Sequence, residues 1–298
     1  MVNEISPKSS SPNGMAAAGR TGARLPGYGV AGIVILVVAG ALLVAGVSVI
    51  RMWFTPIMWT GYILFMDGLI RRRRGTSLLS DHPLEFGLLC VISVASWTIF
   101  EGYNVMLKNW HYVGLPDNMI VRYIGYAWAF ATISPGMFLT YEYLDCHLPG
   151  SSPKTPSRLP NAVFYGFVIF GAACMVTPFV WSSTWMSPLV WMSFAFLIDP
   201  LNGRMGERSF LTEFFTGHYR SMSLMFLAGA LCGILWEFWN YWAVTKWHYD
   251  VPYFGHIKIF EMPVLGFLGF MPFAVESYAI YIVIRKLIPI RRQVKYLG

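Results

Sequence analysis

From residue 30 onward the chain keeps running for about 20 residues at a time with almost no charged side chain, and that pattern restricts it to a lipid solvent. The runs fall at 30–50, 52–70, 84–107, 120–144, 162–181, 185–198, 223–244 and 263–287. Most match the ~20 residues that an α-helix needs to cross a bilayer; the sixth is short. In hydrocarbon every backbone N–H and C=O must be satisfied inside the span, so each run is expected to be helical. Only 12% of the 298 residues are charged while 56% are hydrophobic, against about a quarter charged in a soluble domain. The expected fold class is all-α integral membrane, with about eight transmembrane helices.

The positions of the cations orient these helices. With the N-terminus placed in the cytoplasm, 17 of the 22 Lys and Arg fall on inside segments and 5 on outside ones. Cytoplasmic loops carry the excess of Lys and Arg, so both termini are expected inside, and the expected location is a bacterial cytoplasmic membrane. The net charge of +7 is absorbed by these clusters. It reads as topology and not as a nucleic-acid surface. Residues 1–28, rich in Ser, Pro, Gly and Ala, read as a disordered tail. The run at 30–50 is long for a signal-peptide core and no small-residue cleavage site follows it, so it reads as a retained first helix.

The chain also repeats itself. Trp53-x-x-Pro56-x-x-Trp59 is followed by Asp67, and Trp185-x-x-Pro188-x-x-Trp191 by Asp199, with the same spacing and an offset of 132. Further on, Glu101-x-x-Asn104 leads to Trp110-His111-Tyr112, and Glu237-x-x-Asn240 leads to Trp247-His248-Tyr249. Two landmarks in the same order point to tandem four-helix units at 29–150 and 151–288, followed by a basic cytoplasmic tail at 289–298. Units of four spans face the same way, related by an axis along the membrane normal, and a site is expected where they meet.

Candidate chemistry rests on polar residues within the apolar runs. Glu101, Glu237 and Glu276 lie inside predicted helices, where an ionisable group marks function or a buried partner; such carboxyls can act as proton donors or cation stabilisers. Asn104 and Asn240, three residues on, share a helix face with the first two and would orient them. Trp110, His111, Tyr112, Trp247, His248 and Tyr249 form a candidate substrate-binding set at the outer interface, although aromatic belts are common there. Asp67 with Arg71, and Asp199 with Arg204, are candidates for binding a lipid head group or phosphate, against the simpler reading of topology and anionic-lipid contact. Gly229-x-x-x-Gly233 reads as helix packing.

Other chemistries lack their signatures. Two histidines without a third ligand make no metal site, and Cys90, Cys146, Cys174 and Cys232 form no C-x-x-C pair. The chain has no phosphate-binding loop, dinucleotide fingerprint or nucleophile elbow, so no cofactor is expected.

The stretch 236–281 resembles the lycopene-cyclase-type membrane domain of carotenoid cyclases. The resemblance rests on Glu237, on Trp247-His248-Tyr249, on Gly255, and on Pro263 opening the last helix. That family carries a Pro-x-Glu-Glu motif, where this chain has Pro263-Val264-Leu265-Gly266. The resemblance implies a small helical membrane unit used in tandem and an isoprenoid substrate. An enzyme acting on an isoprenoid-like or other lipid substrate by acid–base chemistry is therefore one expectation. A proton-coupled transporter or channel and a membrane scaffold or assembly subunit are the others. Expected partners are membrane lipids or a hydrophobic small molecule; the sequence leaves the oligomeric state open.

Overall fold

The computed structural model describes residues 24–151, 158–252 and 254–288. The tail at 289–298 and most of the tail at 1–28 lie outside the described residues. The order is α1 (Gly27–Val44), α2 (Ser48–Met52), α3 (Phe54–Arg74), α4 (Leu78–Asp81), α5 (Pro83–Leu107), β1 (Trp110–Val113), α6 (Met119–Ala131) and α7 (Ile133–His147). There follow α8 (Asn161–Val180), α9 (Ser187–Arg204), α10 (Phe210–Phe215), α11 (Arg220–Trp242), β2 (Lys246–Tyr249), β3 (Lys258–Ile259), β4 (Met262–Pro263) and α12 (Phe270–Leu287). Among the described residues the fold is helical apart from two short two-stranded ribbons.

Six of the helical segments are long and apolar enough to cross a membrane: Gly27–Val44, Ser48–Arg74, Pro83–Leu107, Asn161–Val180, Arg220–Trp242 and Val264–Leu287. The chain is thus a polytopic membrane protein. The runs expected at 120–144 and 185–198 are helical too, but they fall outside this set. The first is broken at Thr132, because Pro135 in the opening turn of α7 has no N–H to give. Ser93 of α5 bridges the break: its hydroxyl donates to Phe130 O at 2.6 Å and accepts Ser134 N at 3.0 Å. The backbone bond that an unbroken helix would make there is carried by an inserted hydroxyl. The second is α9, preceded by a 3₁₀ turn at Thr184–Met186.

Packing follows small residues and aromatic rings. α1 lies on α3 and α8 on α9. A Cβ added at Gly32 would run into the backbone of Gly61 and Phe65, so glycine is what lets α1 and α3 touch. Gly229 and Gly233 do the same for α11, each lying against Phe270 of α12. α7, α11 and α12 form the centre, where Phe138, Met225, Ala228 and Ala274 are buried.

The two aspartates of the repeated motif are structural. Asp199, fully buried, accepts Phe210 N at 3.0 Å, Leu211 N at 2.8 Å and Ser209 Oγ at 2.6 Å. Asp67, also fully buried, accepts Leu79 N at 2.9 Å and Tyr28 Oη at 2.8 Å. Each carboxylate thus serves the orphan N–H groups at the start of a short helix, α10 or α4, from a neighbouring helix. Arg71 pairs with Asp81 at 2.6 Å, and Arg204 donates to Asn161 Oδ1 at 2.5 Å with its guanidinium over Phe164. Where a head-group or phosphate site was expected, the two aspartates serve backbone N–H groups and the two arginines each have a partner within the protein, Arg71 in a half-exposed pair. Replacing Asp199 by Ala is expected to cost about 2–4 kcal/mol, because it orphans three buried donors. Arg71→Ala, which loses a half-exposed pair, costs about 0–1 kcal/mol. Unfolding in detergent followed by tryptophan emission checks the contrast; equal losses would contradict this role for Asp199.

Candidate functional site: an aromatic cavity closed by a ribbon

α5 and α11 end in the same way. Asn104 Oδ1 accepts Asn109 N at 2.9 Å and Trp110 N at 3.0 Å, and its Nδ2 donates to Trp110 O at 2.8 Å. Asn240 Oδ1 accepts Trp247 N at 3.0 Å and its Nδ2 donates to Trp247 O at 2.9 Å. The shared face leads to the expectation that the asparagines orient the glutamates; their side chains bond the backbone instead. They turn to the peptide groups left unpaired where the chain leaves the helix.

Held in this way, β1 and β2 pair antiparallel, with Trp110 opposite Tyr249, His111 opposite His248 and Tyr112 opposite Trp247. Alternation along a strand sends neighbouring side chains to opposite faces. Trp110, Tyr112, Trp247 and Tyr249 face inward and line a cavity of about 450 Å³, within the ~300–1,000 Å³ of small-molecule sites. His111 and His248 face outward. Their rings lie 5.7 Å apart, with His111 Nδ1 2.5 Å from Asp250 Oδ2 and His248 Nδ1 2.7 Å from Glu261 Oε2. Of the expected substrate-binding set, the four aromatic residues meet at the cavity and the two histidines do not.

The cavity wall is chiefly carbon. Trp59 of α3, Trp97 of α5, Trp191 of α9, Trp236 of α11 and Phe273 of α12 contribute to it. They contact one another: Trp97 and Phe273 centroids lie 5.6 Å apart in an edge-to-face arrangement, and Trp97 and Trp236 lie 6.1 Å apart. Arg122 is the one charged side chain on the wall among the described residues.

Behind the rings sit two glutamates. Glu101 Oε1 accepts Trp97 Nε1 at 2.8 Å, Trp110 Nε1 at 3.1 Å and Tyr112 Oη at 2.5 Å. Glu237, fully buried, accepts Tyr249 Oη at 2.9 Å, and Tyr249 in turn accepts Trp247 Nε1 at 2.8 Å. Neither carboxyl lines the cavity itself; each fixes the polar edge of rings that do. Burial, and then the facing glutamate, hold the phenols of Tyr112 and Tyr249 well above their ordinary value of 10, so both stay protonated as donors.

Glu276 is not part of this arrangement. Its Oε1 accepts Phe194 N at 2.9 Å, bracing α12 against α9, where the Val190 carbonyl receives Ser193 Oγ at 2.9 Å. Residues that sequence reasoning passed over do shape the cavity. Trp97 precedes Glu101 by one helical turn, and Trp236 adjoins Glu237. Trp59 and Trp191 were visible only as landmarks of the repeat, and Arg122 only as a loop charge. No family model, no curated protein and no solved structure matches this chain.

The ribbon is tied down by Glu261, which accepts Lys246 Nζ at 2.7 Å as well as facing His248. Burial raises the Glu261 carboxyl, but the Lys246 bond and charge outweigh it and leave it below the ordinary 4.5. A depressed carboxyl stabilises the fold above its unfolded value and loses that contribution as pH falls through the folded one. Melting in detergent from about pH 6 to about pH 3 should therefore show an acid-side loss that Glu261→Gln reduces. An unchanged pH profile in that variant would remove the argument.

Proposed function

We propose that this chain is an eight-span membrane protein, built as two tandem four-helix copies with both termini in the cytoplasm. In this reading the aromatic cavity takes an apolar, isoprenoid-like molecule and acts on it by acid–base chemistry. The observation that carries the proposal is a carbon-walled cavity with a Glu–Tyr pair at each ribbon strand. The tandem build is supported by two parallels. Asp67 reaches Leu79 and Asp199 reaches Leu211 across the same separation of 12 residues. The strands that follow Asn104 and Asn240 pair with each other. Eight spans are supported by the bridging of α6 to α7 through Ser93.

The chemistry would be an isomerisation or cyclisation. For the acid step Glu237 is protonated and its hydrogen bond to Tyr249 is reversed: Glu237 donates to the Tyr249 hydroxyl, which passes its own hydrogen to an alkene carbon, whose π pair forms the new C–H bond. The carbocation left on the adjacent carbon lies against indole faces, which attract cations. Loss of a proton from a neighbouring carbon towards Tyr112 and Glu101 restores the double bond. One proton enters and one leaves, so no co-reactant is needed. Glu276, which does not line this wall, serves helix packing here. The resemblance to lycopene-cyclase-type domains points to the same substrate class. Proton-coupled transport is favoured less, since a conducting path needs polar lining and this wall carries one charge.

In the native host, Glu237→Gln at wild-type protein level should lower the product at least ~100-fold, the scale of losing one acid–base group. Mass spectrometry of lipid extracts from wild-type, variant and null strains reads the result. Identical profiles in all three would sink the enzymatic reading.

A further inference from the structure

We propose that the molecule taken into the cavity is an amphiphile with an oxyanion head, and that Arg122 binds that head at the cavity rim. This inference rests on the reading of the cavity as a lipid site. Arg122 stands in the first turn of α6, beside the loop residues Leu115 and Pro116, and all three line the cavity. Its Nε and Nη2 donate to Pro116 O at 3.0 and 2.8 Å. A guanidinium has five N–H donors in a fixed fork; two are used to hold the side chain in place. Among the described residues, no carboxylate lies within ion-pair distance of it.

A charged side chain on an otherwise apolar wall would be costly without a partner. Orienting it by one of its own loop carbonyls would still leave its outer edge open. An oxyanion is the group whose geometry meets that edge with paired, charge-assisted hydrogen bonds. The way in suits an amphiphile. Leu265 and Leu268 line the same cavity and are 44% and 59% exposed, so its entrance has an apolar margin. A chain sliding in past them puts its carbon body among the indoles while its head stays at the level of Arg122. A pure hydrocarbon would leave the cation unused; a free anion would leave the aromatic wall unused.

Seven of the 12 tryptophans line the cavity, so intrinsic emission reports its occupancy. The full chain in neutral detergent is titrated with farnesyl phosphate and with farnesol, as wild type, Arg122→Gln and Arg122→Lys. Wild type should bind the phosphate about tenfold tighter than the alcohol, the worth of one charge-assisted contact. Arg122→Gln should bring the two together by weakening the phosphate alone, and Arg122→Lys should restore part of the gap. Equal affinities in wild type, or an undiminished gap in Arg122→Gln, overturn the inference. So does competition by inorganic phosphate alone, or by phosphatidylglycerol added to the micelles, since either would mean that Arg122 serves free phosphate or bulk head groups. If neither farnesyl compound changes the emission while the wild type remains monodisperse, the lipid reading of the cavity fails first and takes this inference with it.

Discussion

The pairing of β1 with β2 is the contact on which the site depends. It joins two places in the chain that are more than 130 residues apart, and its register decides every neighbour. A slip of one residue would turn the tryptophans and tyrosines outward and the histidines inward. Four residues a side make a weak ribbon by themselves. Asn104 and Asn240 therefore matter: they fix Trp110, the first residue of β1, and Trp247, the second of β2, to the ends of long helices, so the register is inherited from α5 and α11. Where those helices stop sets where the aromatic wall stands.

The buried acids divide into kinds according to what they meet. Asp67 and Asp199 meet backbone N–H groups and close loops. Glu85 meets Arg285 and Tyr281, and Glu142 meets Arg74, at the end of the bundle far from the ribbon. Glu276 meets the backbone of α9. Among the described residues, only Glu101 and Glu237 meet the side chains of a cavity wall. Burial alone would pass over Glu101, which is only half-buried, and favour Glu213, which meets Arg208; the donor that each accepts from separates scaffolding from site.

That separation explains what could be seen in the sequence. The helices were legible because a membrane demands length and apolarity in one stretch, and the Asn-to-Trp intervals were legible because both strands leave their helices alike. The break at Thr132 was announced only by Pro135, and its bridging by Ser93 was not, since the serine lies 41 residues from Ser134. The split between Trp110 and His111 follows from strand alternation, yet nothing in the apolar pattern announces a four-residue strand outside a span. Asp67 and Arg71 drew attention by charge, and charge does not say whether an acid faces a phosphate or a helix terminus. Trp59 and Trp191 carry large apolar surfaces among many others, and only their convergence makes them a wall.

The placement of the glutamates behind the rings has its own chemical logic under the proposed function. A bare carboxylate touching a carbocation would bond to it and end the reaction as an ester. An indole face attracts the same cation without offering an easily attacked pair of electrons. Setting each acid one ring back lets it fix indole and phenol edges and exchange protons through a hydroxyl, while the surface that meets the cation stays aromatic. Glu101 illustrates the arrangement: one oxygen holds Trp97, Trp110 and Tyr112 together, and all three present their rings to the cavity. An acid used in this way needs close donors more than it needs access, which is why it lies in the wall rather than on it.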